Sequence, residues 1–367
     1  MSNSLEIVKV LIYTVLSFLV ALAWSPSLIK LLRWLRFWKK EKKNINLNGT
    51  EFTDPTLIKF FDHTEVKNKV PRGGGLVIWV TALFLATCFW ILLKIDPSNK
   101  LFQYLNFVSR TQTFIPLGTL FFGAILGFVD DALATLESGG NYKAGGLKLS
   151  HRIGLIGIFS GLIGLWFYYQ NKVTTLSFFG AHFDLSNIAG LNLAWLIIPI
   201  TIIILNVLWT SSVIDGFDGL AGSVFVPIFI TFAATSYIKG YYDIAVLMGV
   251  LAGATMAFLW FNISPAKFYM GDTGSTPLLL TLGVVAILTD TVYLLPVAGI
   301  MLMATTFGNI IQVTSKRFRG GRKVFRAAPI HHHFESIGLK RDQIVFRYCL
   351  ITIGMCTLSI AIALVLR

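Results

Sequence analysis

Long apolar runs separated by short polar, cation-bearing stretches set the rhythm of this chain. A helix needs about 20 apolar residues to cross a hydrocarbon core of roughly 30 Å. Ten runs come close to that length, at about 7–31, 73–95, 113–130, 153–169, 193–211, 219–238, 243–262, 277–290, 293–313 and 347–366. The third and eighth are the shortest. The pattern predicts an all-α polytopic membrane protein of about ten transmembrane helices, with 1–367 forming a single integral membrane domain. Segment 171–192 (NKVTTLSFFGAHFDLSNIAGLN) reads as an external loop or short hairpin, and no internal repeat is visible.

Composition agrees: 55% of residues are hydrophobic and 13% charged, against roughly 25% charged in a soluble domain. Ten spans put both termini on one side, and the cations say which. All but seven of the 31 Lys and Arg fall in the loops 30–72, 130–152, 263–276 and 314–347, the exceptions being Lys9, Lys94, Lys100, Arg110, Lys172, Lys239 and Arg367. The positive-inside rule makes those loops cytoplasmic and places both termini outside. The net charge of +13 then reflects topology and attraction to anionic membrane lipid, not a nucleic-acid surface. The first run leads into WSPSLIKLLRWLRFWKK, which lacks a small-residue cleavage site and reads as an uncleaved first helix. Cys88, Cys349 and Cys356 all lie in apolar runs and form neither a disulfide framework nor a metal cluster.

This threading gathers Asp130, Asp131, Asp215, Asp218, Asp272, His331, His332 and His333 on the cytoplasmic face. Acids collected there from distant stretches point to a metal-dependent active site at the membrane surface. Asp130 and Asp131 close the run LGTLFFGAILGFVDD. Helical neighbours point about 100° apart, so one carboxylate can face a metal or phosphate while the other orients a basic side chain. Two acids at a helix C-terminus also oppose its dipole, which favours a functional reason for them. In DGFDGLAG, Asp215 and Asp218 share a face if helical, and the glycines allow close backbone approach.

FNISPAKFYMGDTGS brings together Asn262, Lys267, Tyr269 and Asp272. A Gly-flanked Asp at the start of a span suits a metal-held phosphate beside free backbone N–H groups. Hard oxygen ligands and the absence of zinc-ligand spacing select Mg²⁺, or Mn²⁺, as the ion. In PIHHHFE the three histidines, beside RFRGGRKVFR, are donors for a diphosphate or sugar, and Lys69 in KVPRGGGL opens a basic, Gly-rich phosphate cradle. Each motif has a plainer reading: a solvated helix end, an ordinary turn, an adventitious metal-binding loop. Their convergence on one face favours chemistry. A lipid or ion transporter is the rival from another class, but transporters hold their ionisable groups near the midplane in broken helices.

Taken together, GFVDD, DGFDGLAG, FNISPAKFYMGDTGS and APIHHHFE resemble the polyprenyl-phosphate N-acetylhexosamine-1-phosphate transferases. Within them, the HHH-F-E run is similar to that of the phospho-N-acetylmuramoyl-pentapeptide transferases. The motifs run in family order from about residue 69 to 335. The resemblance implies transfer of phospho-MurNAc-pentapeptide from its UDP carrier to undecaprenyl phosphate, giving lipid I and UMP, in the bacterial cytoplasmic (inner) membrane. It implies Asp272 as the Mg²⁺ ligand, Asp130 and Asp131 as a catalytic pair, and His331, His332 and His333 as the family's histidine motif. Asp215 and Asn262 match residues near the uridine, and Tyr269 an aromatic that stacks on the uracil. Lys69, Asp218 and Arg152 complete the expected substrate-binding set. Homodimers also occur in the family.

The chain departs from that pattern in places. Ser212-Val213-Ile214-Asp215-Gly216 stands where Asn-Leu-Thr-Asp-Gly is usual, and Arg152 where a lysine is expected, with Lys148 close by. Pro71-Arg72-Gly73-Gly74-Gly75 is nearer to relatives that use UDP-GlcNAc, which keeps a GlcNAc-1-phosphate transferase open as the alternative. Thr276-Pro277-Leu278-Leu279 also differs from the Leu-Ala-Leu-Gly usual after Gly-Ser.

Overall fold

The computed structural model describes residues 3–38, 69–136, 146–171, 173, 175–178, 181–187 and 191–366. Much of the first two expected cytoplasmic loops, 39–68 and 137–145, therefore lies outside the described residues. The regular structure of the described residues is helical apart from one short hairpin. Its helices are α1 (Asn3–Trp34), α2 (Leu76–Ile95), α3 (Lys100–Leu105), α4 (Phe114–Leu136), α5 (Leu149–Trp166), α6 (Ile197–Trp209), α7 (Leu220–Ile238) and α8 (Tyr242–Asn262). They continue as α9 (Asp272–Leu288), α10 (Leu295–Ala298), α11 (Ile300–Phe318), α12 (Ile330–Ser336) and α13 (Arg341–Val365).

Eight helical stretches are long and apolar enough to cross a membrane, making this a multi-pass membrane protein. The remaining two of the ten predicted runs take other forms. One is a pair of helical pieces, Val292–Ala298 and Ile300–Phe318, bent by 81° at Gly299. The other is α9, whose 17 residues reach only about 25 Å. That length suffices because α9 is enclosed: Thr273 to Leu288 are all buried. A helix sheathed by protein need not match the thickness of the lipid.

Helices α7, α8 and α9 form the centre, with α1, α2, α4 and α13 packed around them. One cluster of buried apolar side chains extends from Tyr13 to Ala363. Between lipid-embedded helices close packing replaces the hydrophobic drive, so small residues bring backbones together. A Cβ added at Gly253 of α8 would stand 2.0 Å from the Thr14 carbonyl oxygen of α1. A Cβ at Gly127 of α4 would stand 1.9 Å from the Asp272 carbonyl oxygen. The second contact seats α4 directly against the start of α9.

One local expectation changes and another is met. Helix α4 runs on to Leu136, so Asp130 and Asp131 lie more than a turn inside it and do not confront its C-terminal dipole. The 171–192 segment does form a hairpin, β1 (Thr175–Phe178) against β2 (Ala181–Asp184), antiparallel with Thr175 opposite Asp184. Asp290 fastens it, accepting the Ser177 N–H at 2.6 Å and the Ser177 hydroxyl. Lys239 donates to the Asp290 carbonyl at 2.8 Å, closing that end of the bundle.

Candidate active site

The acids from three separate stretches meet around two arginines. Arg152, in the first turn of α5, pairs with Asp130 Oδ2 at 2.7 Å and with Asp272 Oδ2 at 3.0 Å. Its Nε donates to the Leu147 carbonyl at 3.0 Å, and the Leu147 N–H donates to Asp130 Oδ1 at 2.8 Å. Residues 146–152 thus wrap the Asp130 carboxylate. Asp131, on the neighbouring face of α4, does something different. Its Oδ2 accepts the Thr273 N–H at 2.8 Å and the Thr273 hydroxyl at 2.7 Å. It therefore caps α9 from another helix, a favourable place for an anion because the N-terminal N–H groups and the dipole point at it. Arg72 approaches its other oxygen at 3.7 Å.

The turn between α6 and α7 and the segment entering α9 are stitched together by the predicted polar residues. Asp215 Oδ2 accepts the Gly271 N–H at 2.8 Å, and Asp218 Oδ2 accepts the Ala266 N–H at 3.0 Å. Neither Asp is helical, so their spacing of three serves two points on the facing loop instead of one helix face. Asn262, fully buried, accepts from Gly219 N at 2.9 Å and donates to the Phe268 carbonyl at 2.8 Å. The Gly-rich 71–75 segment joins the same loop: Tyr269 N donates to the Pro71 carbonyl at 2.9 Å, and Gly74 N to the Tyr269 carbonyl at 2.7 Å. Gly271 has φ 69°, and a Cβ there would meet Asp131 Oδ2 at 2.2 Å. Glycine is thus required both by the backbone and by the carboxylate.

The histidines separate in role. His331 is wholly buried against Gly216, and neither ring nitrogen has a hydrogen-bond partner. Burial, and secondarily His332, push its pKa down to about 3, against the opposing pull of Glu335. His332 pairs through Nδ1 with Glu335 at 3.1 Å. His333 turns away, its Nδ1 accepting the Arg326 N–H at 3.3 Å. Phe217, between Asp215 and Asp218, packs edge-on against both His331 and His332, with ring centroids 4.9 Å apart in each pair.

A cleft of about 290 Å³ opens among these elements, bordered by Arg72, Arg152, Asp215, Asp272, His331 and His332. Asp130 lines a smaller void next to it, shared with Arg152 and Asp272. Of the expected site residues, Asp131, Asp218 and Asn262 sit behind the cleft as supports of its wall. Tyr269 is buried with Val70 and Ala266. Lys69 is exposed and, like His333, does not border the cleft. The contributions of Phe217, Gly271 and Thr273 were not read from the sequence. For Thr273 no local pattern announces a cap supplied by another helix. Glu335, three residues after His332 on one helix, had such a signal.

Among the described residues no three His, Cys, Asp or Glu side chains enclose a metal. Mg²⁺ is seldom caged that way; it takes one or two carboxylates and completes its shell with water and substrate phosphates. The donor set fits such an ion. Asp272 borders the open cleft, Asp130 is beside it, and the two carboxylates share a single guanidinium, which leaves room for a further positive charge.

Residues 113–290, spanning α4 to the end of α9, match glycosyl transferase family 4. The chain is 30% identical over 355 residues to the phospho-N-acetylmuramoyl-pentapeptide-transferase of Clostridium perfringens (strain SM101), covering 96% of each. The chain belongs to the phospho-N-acetylmuramoyl-pentapeptide-transferase family. The enzymes of that name from Clostridium beijerinckii and from the Wolbachia of Brugia malayi are 30% and 29% identical, over 96% and 95% of this chain. Membership in this family makes the chain a phosphotransferase. The four motif stretches that carried the resemblance lie around the cleft, except that His333 faces away from it.

Proposed function

We propose that this protein transfers phospho-MurNAc-pentapeptide from UDP-MurNAc-pentapeptide to undecaprenyl phosphate, releasing UMP and forming lipid I. It does so at the cytoplasmic face of the bacterial inner membrane, with Mg²⁺ as cofactor. The observation that carries the reading is the shared guanidinium: Arg152 spans Asp130 and Asp272 at 2.7 and 3.0 Å beside a cleft walled by arginine and histidine.

The chemistry asks little covalent work of the protein. The lipid phosphate oxygen attacks the phosphorus bearing the sugar, a P–O bond forms, the diphosphate bridge breaks, and UMP departs with the bridging oxygen. A phosphate monoester has its second pKa near 6, so the nucleophile is largely ionised at pH 7. What remains is to bring two anions together and to neutralise the charge that develops. Arg72 and Arg152 provide fixed positive charge on the cleft wall. Asp272, with Asp130 adjacent, would hold Mg²⁺ against the diphosphate, and the ion would supply charge neutralisation there. Arg152, released from Asp272, would then turn to a phosphate. His332 presents a ring nitrogen to the bound donor while the buried His331 packs against Gly216 behind it, and Asp215 supports the uridine side while pinning Gly271.

Purified protein with undecaprenyl phosphate, Mg²⁺ and UDP-MurNAc-pentapeptide should release UMP, and Asp272→Asn should abolish release by at least a hundred-fold. Release with UDP-GlcNAc alone would reassign the donor. Metal-independent release, or release undiminished by Asp272→Asn, would refute the role of the site.

A further inference from the structure

Behind the cleft wall lies a chain of contacts that the reaction scheme does not use. Glu335 sits one helical turn after His332 on α12, partly shielded from solvent, with 15% of its side chain exposed. Its Oε2 lies 3.1 Å from His332 Nδ1, and its Oε1 accepts the Arg341 Nε–H at 2.7 Å. Burial alone would raise the carboxyl's pKa, but the hydrogen bonds to His332 and Arg341 and their charges hold it below the usual carboxylate range. It is therefore an anion at neutral pH. Arg341 opens α13 and lays its guanidinium over the Phe217 ring, 5.2 Å from the centroid. Phe217 in turn supports His331 and His332.

An imidazole has two distinct nitrogens, and a partner on one decides the role of the other. A carboxylate only accepts, so the neutral His332 ring must carry its proton on Nδ1 to satisfy Glu335. Nε2 is then left as the nitrogen available to whatever occupies the cleft that His332 borders.

We infer that Glu335 is a positioning residue: it fixes the tautomer and orientation of His332, so that Nε2 faces the cleft as an acceptor for a hydroxyl or N–H of the nucleotide-sugar donor. Arg341, bound to the other carboxylate oxygen, ties α12 to α13. The inference rests on the proposed reading for the identity of the ligand, but its first test needs no ligand. In protein labelled with ¹⁵N-histidine, His332 (assigned through His332→Gln) should show the Nδ1–H form. Glu335→Ala should convert it to the commoner Nε2–H form, and Glu335→Gln, which keeps a neutral acceptor, should retain Nδ1–H. Arg341→Gln should lower thermal stability yet leave the tautomer unchanged.

In the transfer assay, Glu335→Ala should raise KM for the donor by about ten-fold with kcat changed less than three-fold, and Glu335→Asp should recover part of the loss. An Nε2–H form in the wild-type protein would overturn the inference. So would a Glu335→Ala variant that loses stability while keeping both the wild-type tautomer and KM, since Glu335 would then merely fasten α12 to α13. Failure of the proposed reaction would appear separately, as absence of UMP release from the wild-type protein.

Discussion

His331 gives the sharpest test of the site as described, because its burial has a consequence in solution. The ring is fully buried, both nitrogens lack partners, and its pKa falls from 6.5 to about 3. Above pH 7 the ring is neutral in both folded and unfolded chains and contributes no pH dependence. As the pH falls through 6.5 the unfolded chain takes up a proton that the folded one refuses, so stability declines. Between pH 7 and 5 the loss is about 2 kcal/mol, and it continues to grow towards pH 3. The assay is the apparent melting temperature of ligand-free protein in detergent, from pH 8 to 5, for wild type and His331→Gln. The variant should melt lower at pH 8, since it buries an unpaired amide, but its decline on acidification should be shallower by the His331 contribution. Parallel curves would mean that His331 is protonated or solvated in the folded protein, and the packing described for α12 against Gly216 would be wrong.

Other substitutions separate chemistry from support. Gly271→Ala must place a side chain at φ 69° and 2.2 Å from Asp131 Oδ2, so activity should fall at least a hundred-fold; activity within ten-fold of wild type would contradict that geometry. Thr273→Val removes one of two bonds to Asp131 and keeps the backbone one. It should cost about 2 kcal/mol, read as a lower melting temperature that Asp131→Asn does not add to in full. Asn262→Ala strands the Gly219 N–H and the Phe268 carbonyl, costing about 2–3 kcal/mol. If Asn262 is a support, stability should drop before donor KM rises; a raised KM at unchanged stability would mean direct contact with the nucleotide.

Much of this architecture is legible without coordinates, and the places where it is not share a cause. Hydropathy is local, so apolar runs announce α1, α2, α7, α8 and α13 directly. The cations of the polar loops give each run a side under the positive-inside rule. Local chemistry also singles out DGFDG, MGD and HHH, because acids, glycines and histidines are unexpected beside such runs. The misreadings arise where neighbours override the local signal. Helix α4 continues past Asp131 because its acids are satisfied by α9 and Arg152. Helix α9 is short because protein, not lipid, surrounds it.

The sequence by itself determined that this is a multi-span helical membrane protein, and which polar residues were candidates for chemistry. Tertiary structure decided their division of labour: Asp130 and Asp272 share a guanidinium, whereas Asp131, Asp218 and Asn262 hold up the wall. It also turned His333 away while leaving His331 and His332 on the cleft. The physical reason is range. A residue's preference for lipid or water is settled within a few residues of itself, whereas a carboxylate's role depends on which donor reaches it. Here that donor comes from as far as 142 positions along the chain.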